Sequence, residues 1–159
     1  MSALQYLADA TRMLNEAKPF VTVRYVDVSN QIRLVQEELA ETEEAFQKEN
    51  HKELLDGTVD VIVTAVGLLQ MLEKAGFNTD RALRRVADNN LTKLLPDAWT
   101  AIKTVAFYKE VQGLDTRVVK SRDQDHYAVL DKNDKIKKPI GYTSVNLSDC
   151  VPIGDPFTE

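Results

Sequence analysis

Two stretches of this 159-residue chain carry apolar residues at spacings of three and four, and only a short polar break separates them. The first opens at Ser29 or Asn30, either a natural N-cap, and runs to about residue 50. Ile32, Val35, Leu39 and Phe46 form its stripe, with Thr42 between. The second runs from about residue 52 to 74 with Leu55, Val59, Ile62, Val66 and Leu69, and stops before Gly76. This period belongs to an α-helix with one apolar face. A break so short makes the two helices pack antiparallel.

The rest of the chain extends the helical pattern and then abandons it. Ser2 caps a short first helix bearing Leu4, Leu7, Ala8 and Leu14, ended by Pro19. Residues 20–27 are β-branched without a partner strand and read as an extended connector. Asn78 or Thr79 opens a fourth helix, stopped by Pro96, and Asp97 caps a fifth that ends at Gly113. Residues 127–130, a polar turn at 131–135, Ile136 and residues 139–142 read as a small hairpin and loop. The expected fold is all-α: an antiparallel bundle of four to five helices with an irregular C-terminal hairpin or tail. The helical domain spans residues 1–113, and residues 114–159 form an appendage.

Composition narrows the chemistry. Lys and Arg number 20 against 25 Asp and Glu, an acidic balance that argues against a nucleic-acid backbone as partner. One cysteine, Cys150, excludes an internal disulfide and a multi-cysteine zinc site. Two histidines, His51 and His126, make a histidine-rich metal centre a poor fit, and neither follows a glutamate by three residues as a di-iron bundle requires. The most apolar run, residues 59–72, is interrupted by Asp60, Thr64 and Gln70 and falls short of the ~20 residues of a membrane span. No charged region precedes the N-terminal apolar positions. The expectation is a cytoplasmic protein without a membrane partner.

The acid is concentrated. Residues 36–60 hold nine Asp or Glu against Lys48 and Lys52. Glu38 and Glu41 share one face of the second helix, and Glu53, Asp56 and Asp60 share one face of the third. Asp60 lies inside the run V-D-V-I-V, where a carboxylate is costly unless paired or cation-bound. A solvated helix face is the plain alternative. Converging carboxylates without histidine suit a hard cation, Mg²⁺ or Mn²⁺.

Several strings carry a resemblance. L-V-Q-E-E-L-A-E at 34–41 and E-L-L-D-G-T-V-D-V-I-V-T-A-V-G at 53–67 are followed by A-G-F-N-T-D at 75–80. V-A-D-N-N-L-T-K-L at 86–94 and A-I-K-T-V-A-F-Y at 101–108 complete the set. Together they resemble the all-α nucleotide pyrophosphohydrolases of the MazG-like superfamily, above all the small MazG-like proteins common in bacteriophages. The resemblance covers roughly residues 32–113. It implies a Mg²⁺-dependent enzyme that cleaves a nucleoside triphosphate to the monophosphate and pyrophosphate, assembled as a homodimer or homotetramer.

Carried over by position, Glu38 and Glu41 are the E-x-x-E motif, acting as metal ligands and catalytic residues, and Asp60 is the final metal-binding aspartate. Many members have glutamate where this chain has Gly57; Asp56 is the substitute ligand, with Glu53 as second choice. Glu37 or Glu41 accepts the proton of the attacking water. Asn90 and Lys93 match the family's N-x-x-K and imply contacts to substrate phosphate or sugar. Gly57 also keeps open a non-catalytic helical module that binds a nucleotide or a protein. Trp99 with Tyr108 suggests a base-stacking pair, set against a core or interface role. Lys135, Lys137 and Lys138 in the tail either approach phosphate or belong to a segment that braces an assembly.

Overall fold

The computed structural model describes residues 1–16, 22–122 and 125–158. Its helices begin where the sequence supplies a polar cap. Helix α1 (Ala3–Glu16) starts beneath Ser2, whose Oγ accepts the Gln5 N–H at 3.2 Å. Helix α2 (Tyr25–Gln47) and helix α3 (His51–Lys74) are joined by a three-residue turn in which Glu49 adopts a φ of 55°. Asn50 caps α3 by accepting from the Glu53 N–H at 3.3 Å, so His51 is the first helical residue rather than part of the loop. Helix α4 (Thr79–Leu91) follows, then α5 (Ala98–Gln112), capped by the Asp97 side chain on Thr100 and ended by left-handed Gly113. Strands β1 (Thr116–Lys120) and β2 (Tyr127–Asp131) form an antiparallel hairpin. The protein is therefore all-α with a small hairpin and an irregular C-terminal segment.

Three local expectations need correction. The connector ends early, because α2 already begins at Tyr25. Arg24 and Asp27 close a capping box there, with Arg24 Nη2 on Asp27 Oδ1 at 2.8 Å. Arg24 also makes one isolated parallel bridge, to Thr158, without forming a strand. Phe20, Val21 and the expected stop at Pro19 lie outside the described residues. In the hairpin, β2 pairs with residues 116–120, and Ile136 contributes only an isolated bridge to Leu130.

The third correction concerns the stripes. Ile32, Leu39 and Phe46 of α2 are 43%, 58% and 69% exposed, and Leu55 of α3 is 69% exposed. Burial falls instead on Gln31, Val35, Glu38, Thr42 and Ala45, which face α3. The pairing is antiparallel: Thr42 meets Gly57, and Gln31, nearer the start of α2, meets Gly67. A methyl group added at Gly57 would lie 2.6 Å from Thr42 Oγ1, and one at Gly67 would lie 2.9 Å from Gln31 Nε2. Glycines and hydroxyls let the two backbones approach closely, which displaces the larger aliphatic side chains outward. The polar groups taken inside are satisfied: Gln31 Nε2 donates to Thr64 O at 2.9 Å, and Thr42 Oγ1 donates to Glu38 O at 2.7 Å.

The backbone divides into two compact units. One comprises residues 1–79 and 148–159, the other residues 80–147. This division differs from a boundary after residue 113, since α4 and α5 group with the hairpin. In the first unit, Asn15 of α1 donates to Gln70 of α3 at 2.6 Å. The C-terminal segment returns to the same unit. Thr158 exchanges backbone hydrogen bonds with Val23 and Tyr25, and Phe157 packs on Tyr25 and Phe77 with ring centroids 5.2 and 6.0 Å away. In the second unit, Leu95, Ala101 and Val129 are buried, with Val105, Val118 and Tyr127 packed around them. By length and composition alone α3 suffices to cross a membrane, with a window of mean hydropathy 1.5. The helix is longer than the apolar run read from the sequence because its first two turns are polar.

Candidate functional site

The acidic residues come together through the same close pairing that buries Gln31 and Thr42. Glu38 lies on the face of α2 that meets α3 and is half-buried, as is Asp60 on α3; Glu41 and Asp56 are exposed. The Glu38 carboxyl is pushed up from its ordinary value, first by burial and then by the charges of Asp60, Glu41, Glu37 and Asp56. The neighbours that act on it include all three of the other expected ligands. Glu53 is not among them; it sits in the first turn of α3 beside its Asn50 cap. Of the two replacements for the missing glutamate, Asp56 is the one in the field of Glu38.

Hydroxyl groups hold the backbone beneath these acids. Thr42 Oγ1 bonds Glu38 O, and Thr64 Oγ1 bonds Asp60 O at 2.9 Å, each reaching back one turn on its own helix. Glu37 is drawn aside by Arg33, whose Nε lies 3.7 Å from its carboxylate. Among the described residues no three His, Cys, Asp or Glu side chains stand close enough to hold a metal ion. The donor set nevertheless suits a hard cation, because it is all carboxylate and its members repel one another around Glu38. Charge crowding of this kind is what a divalent cation relieves.

Gly57 has a structural reason. The Cβ of any other residue would collide with Thr42, so position 57 points into the contact between the helices rather than toward the acidic group. The sequence signal that could have identified Gln31, Thr42, Gly57 and Gly67 as the contact is their spacing. Small or polar residues recur along one face of each helix, beside the more conspicuous aliphatic stripe.

Asn90 and Lys93 are brought together, with Lys93 Nζ donating to Asn90 Oδ1 at 2.6 Å. They belong to the second unit, whereas the acids belong to the first. Trp99 is 67% exposed, with the Lys103 ammonium 5.8 Å from its ring. Tyr108 does not join it as a stacking platform: it is buried, and its hydroxyl donates to Lys138 O at 2.8 Å. His51 is exposed, His126 has a buried Nδ1 without a hydrogen-bond partner among the described residues, and Cys150 is buried. In comparisons with protein-family models, curated proteins and solved structures, nothing matches this chain.

Proposed function

We propose that this protein is a Mg²⁺-dependent nucleoside triphosphate pyrophosphohydrolase, with Glu38, Glu41, Asp56 and Asp60 as the metal-binding carboxylates. One observation carries the reading: with α2 and α3 paired antiparallel, half-buried Glu38 feels the charges of Asp60 and Asp56 of the facing helix as well as that of Glu41. The sequence resemblance at 34–41 and 53–67 supplies the reaction class. When bound, Mg²⁺ or Mn²⁺ neutralises phosphate charge and lowers the pKa of the attacking water. The chain's own residues do the rest. Thr42 and Thr64 fix the turns that carry Glu38 and Asp60. Because Arg33 engages Glu37, Glu41 is the carboxylate that takes the proton from water. Asn90 and Lys93 bind phosphate or sugar. A nucleotide hydrolysis panel with product analysis tests the proposal: monophosphate and pyrophosphate in equal amounts, dependent on Mg²⁺, is the expected result. Monophosphate with two orthophosphates, or no turnover of any nucleotide, overturns it.

The proposal includes a cytoplasmic homodimer or homotetramer. Its support is the apolar surface left on α2, where Ile32, Leu39 and Phe46 recur every seven residues and stay exposed, together with Leu55 of α3. Phe46→Glu is expected to shift the protein to monomer by sedimentation analysis; an unchanged sedimentation coefficient removes this face from the interface.

A second reading, a non-catalytic module that binds a nucleotide or a protein, is favoured by Gly57. The position of the family's glutamate is filled by the contact with Thr42. Calorimetry with Mg²⁺ and a non-hydrolysable nucleotide separates the two, since binding without turnover of the parent nucleotide selects the module.

A further inference from the structure

Helix α5 is apolar on two faces, and the second unit covers one of them. Ala101, Thr104 and Tyr108 are buried, and half-buried Val105 packs with Ala101 against Leu95 and Val129. On the other side Trp99, Ile102, Phe107 and Val111 are 67%, 53%, 37% and 66% exposed. A helix that is apolar all round is ordinarily covered all round. Charge on α5 is sparse and has a pattern. Of its three charged residues, Lys109 pairs with Asp115. Lys103 and Glu110 lie on the exposed side, in a seam with Trp99 and Ala106 at spacings of four, three and four. Two turns of helix, ~10.5 Å, keep them from pairing with each other. Lys103 Nζ lies 5.8 Å from the Trp99 ring centroid, and Asp97, whose carboxylate it favours, is bonded to Thr100. Glu110 has no ion-pair partner among the described residues.

We infer that the exposed face of α5 pairs with α5 of a second copy of this chain, antiparallel about a two-fold axis beside Ala106 and Phe107. In that register Lys103 of each copy faces Glu110 of the other, so a single sequence supplies both halves of two ion pairs. Ala106 lies beside its own counterpart at the axis and lets the backbones approach, while Phe107 meets its counterpart on the other flank. A parallel pair in register loses all of this, since it sets lysine against lysine and glutamate against glutamate. The charge pattern therefore selects both the occupant and its direction. The seam offers a handful of residues a side, against the ~20–30 of a stable specific interface. It is too small to hold two chains alone, and it joins pairs already formed through α2. The inference thus deepens the proposed assembly by selecting the homotetramer over the homodimer, and it rests on the α2 pairing for the other contact.

The test is sedimentation equilibrium of the full chain with charge reversals. Lys103→Glu and Glu110→Lys each set like charges opposite one another twice, so each is expected to halve the assembled mass and to raise the dissociation constant of this step about a hundredfold. Both residues are exposed, and an unchanged circular dichroism spectrum verifies that the variants fold. An equimolar mixture of the two variants recovers the parent mass, because the new glutamate of one faces the new lysine of the other and the native pair forms beside it. The double variant, with both reversals in one chain, recovers it as well. Single variants that keep the parent mass, a mixture that stays at half of it, or a monomeric parent overturn the inference. A mixture that fails where the single variants dissociate gives the face to a different occupant, the first unit of a neighbouring chain or a foreign protein. Phe46→Glu separates the two interfaces. If it keeps the parent mass while the charge variants behave as described, the α2 face falls and the α5 pairing stands. If it yields monomer while the charge variants keep the parent mass, the α5 pairing falls and the α2 face stands.

Discussion

Between α2 and α3 the first unit sets half-buried Thr42 against Gly57 and buried Gln31 against Gly67, whereas the second unit closes on Leu95, Ala101 and Val129. The same contrast runs through the charges. The first unit has sixteen Asp and Glu against seven Lys and Arg, and the second has nine against thirteen. Close backbone approach with internally bonded polar groups lets a helix pair hold half-buried acids, because the contact does not depend on a continuous apolar layer. A small apolar core makes the opposite demand, and its charged residues stay outside. The acidic overall balance is therefore the sum of two unlike parts. Residues 80–147 do not share the acidic balance of the whole chain.

The largest expected effect separates the units by function. Asp60→Asn or Glu38→Gln is expected to lower pyrophosphate release by about a thousandfold, the scale of losing a group that stabilises transition-state charge. Lys93→Gln is expected to act mainly on KM. Activity within tenfold of the parent in either acidic variant refutes the site.

Stability changes come next. Val129 is 1% exposed, so Val129→Ala is expected to cost about 2 kcal/mol in urea unfolding. A loss under 0.5 kcal/mol shows that the second unit does not rest on this layer. Gly57→Ala is expected to cost about 1–2 kcal/mol despite the better helix propensity of alanine, because its methyl group meets Thr42. Adding Thr42→Ala recovers part of that cost, a coupling that independent sites do not show. Strict additivity places the helices farther apart than described.

The smallest effect is a pH dependence. Glu38 has a folded pKa raised above its ordinary 4.5, so the native state holds the proton more tightly than the unfolded chain. Its contribution is fully present below 4.5 and is lost as pH rises through the folded value. Glu38→Gln, measured by thermal melts without divalent cations, is therefore more stable than the parent at neutral pH and equal to it in acid. Mg²⁺ is expected to narrow the neutral-pH difference, and a constant difference across pH disposes of the crowding around Glu38.

Much of this was legible in the sequence. Ser2 and Asp97 marked helix starts, because a cap acts on backbone groups two or three residues away and needs no distant partner, and α4 opens at Thr79, one of the two starts expected. The i, i+3 and i+7 placement of acids also survives, since helical spacing alone puts them on one face. The buried stripe was misread. Hydrophobic periodicity finds the most apolar face, yet Leu39 and Phe46 are exposed and the α2–α3 contact uses Gln31, Thr42 and Gly57. Nothing local distinguishes a face packed against a partner helix from one left for another surface. Strand β1 was missed for a related reason, since T-R-V-V-K becomes a strand only by pairing with residues 127–131.

By itself, then, the sequence determined the helices, the caps of α1 and α5 and the faces that carry acid, whereas α2 starts at Arg24 and not at the expected Ser29 or Asn30. Tertiary structure alone decided which face of α2 meets α3, that Gly57 is occupied by contact with Thr42, and that Asp56 rather than Glu53 lies in the field of Glu38. It also decided that the Tyr142 hydroxyl bonds Asn89 of α4 while its ring carries the Lys138 ammonium. Helix formation is governed by short-range backbone geometry, whereas the choice of packed face depends on how closely two backbones approach, a distance that neither segment encodes alone.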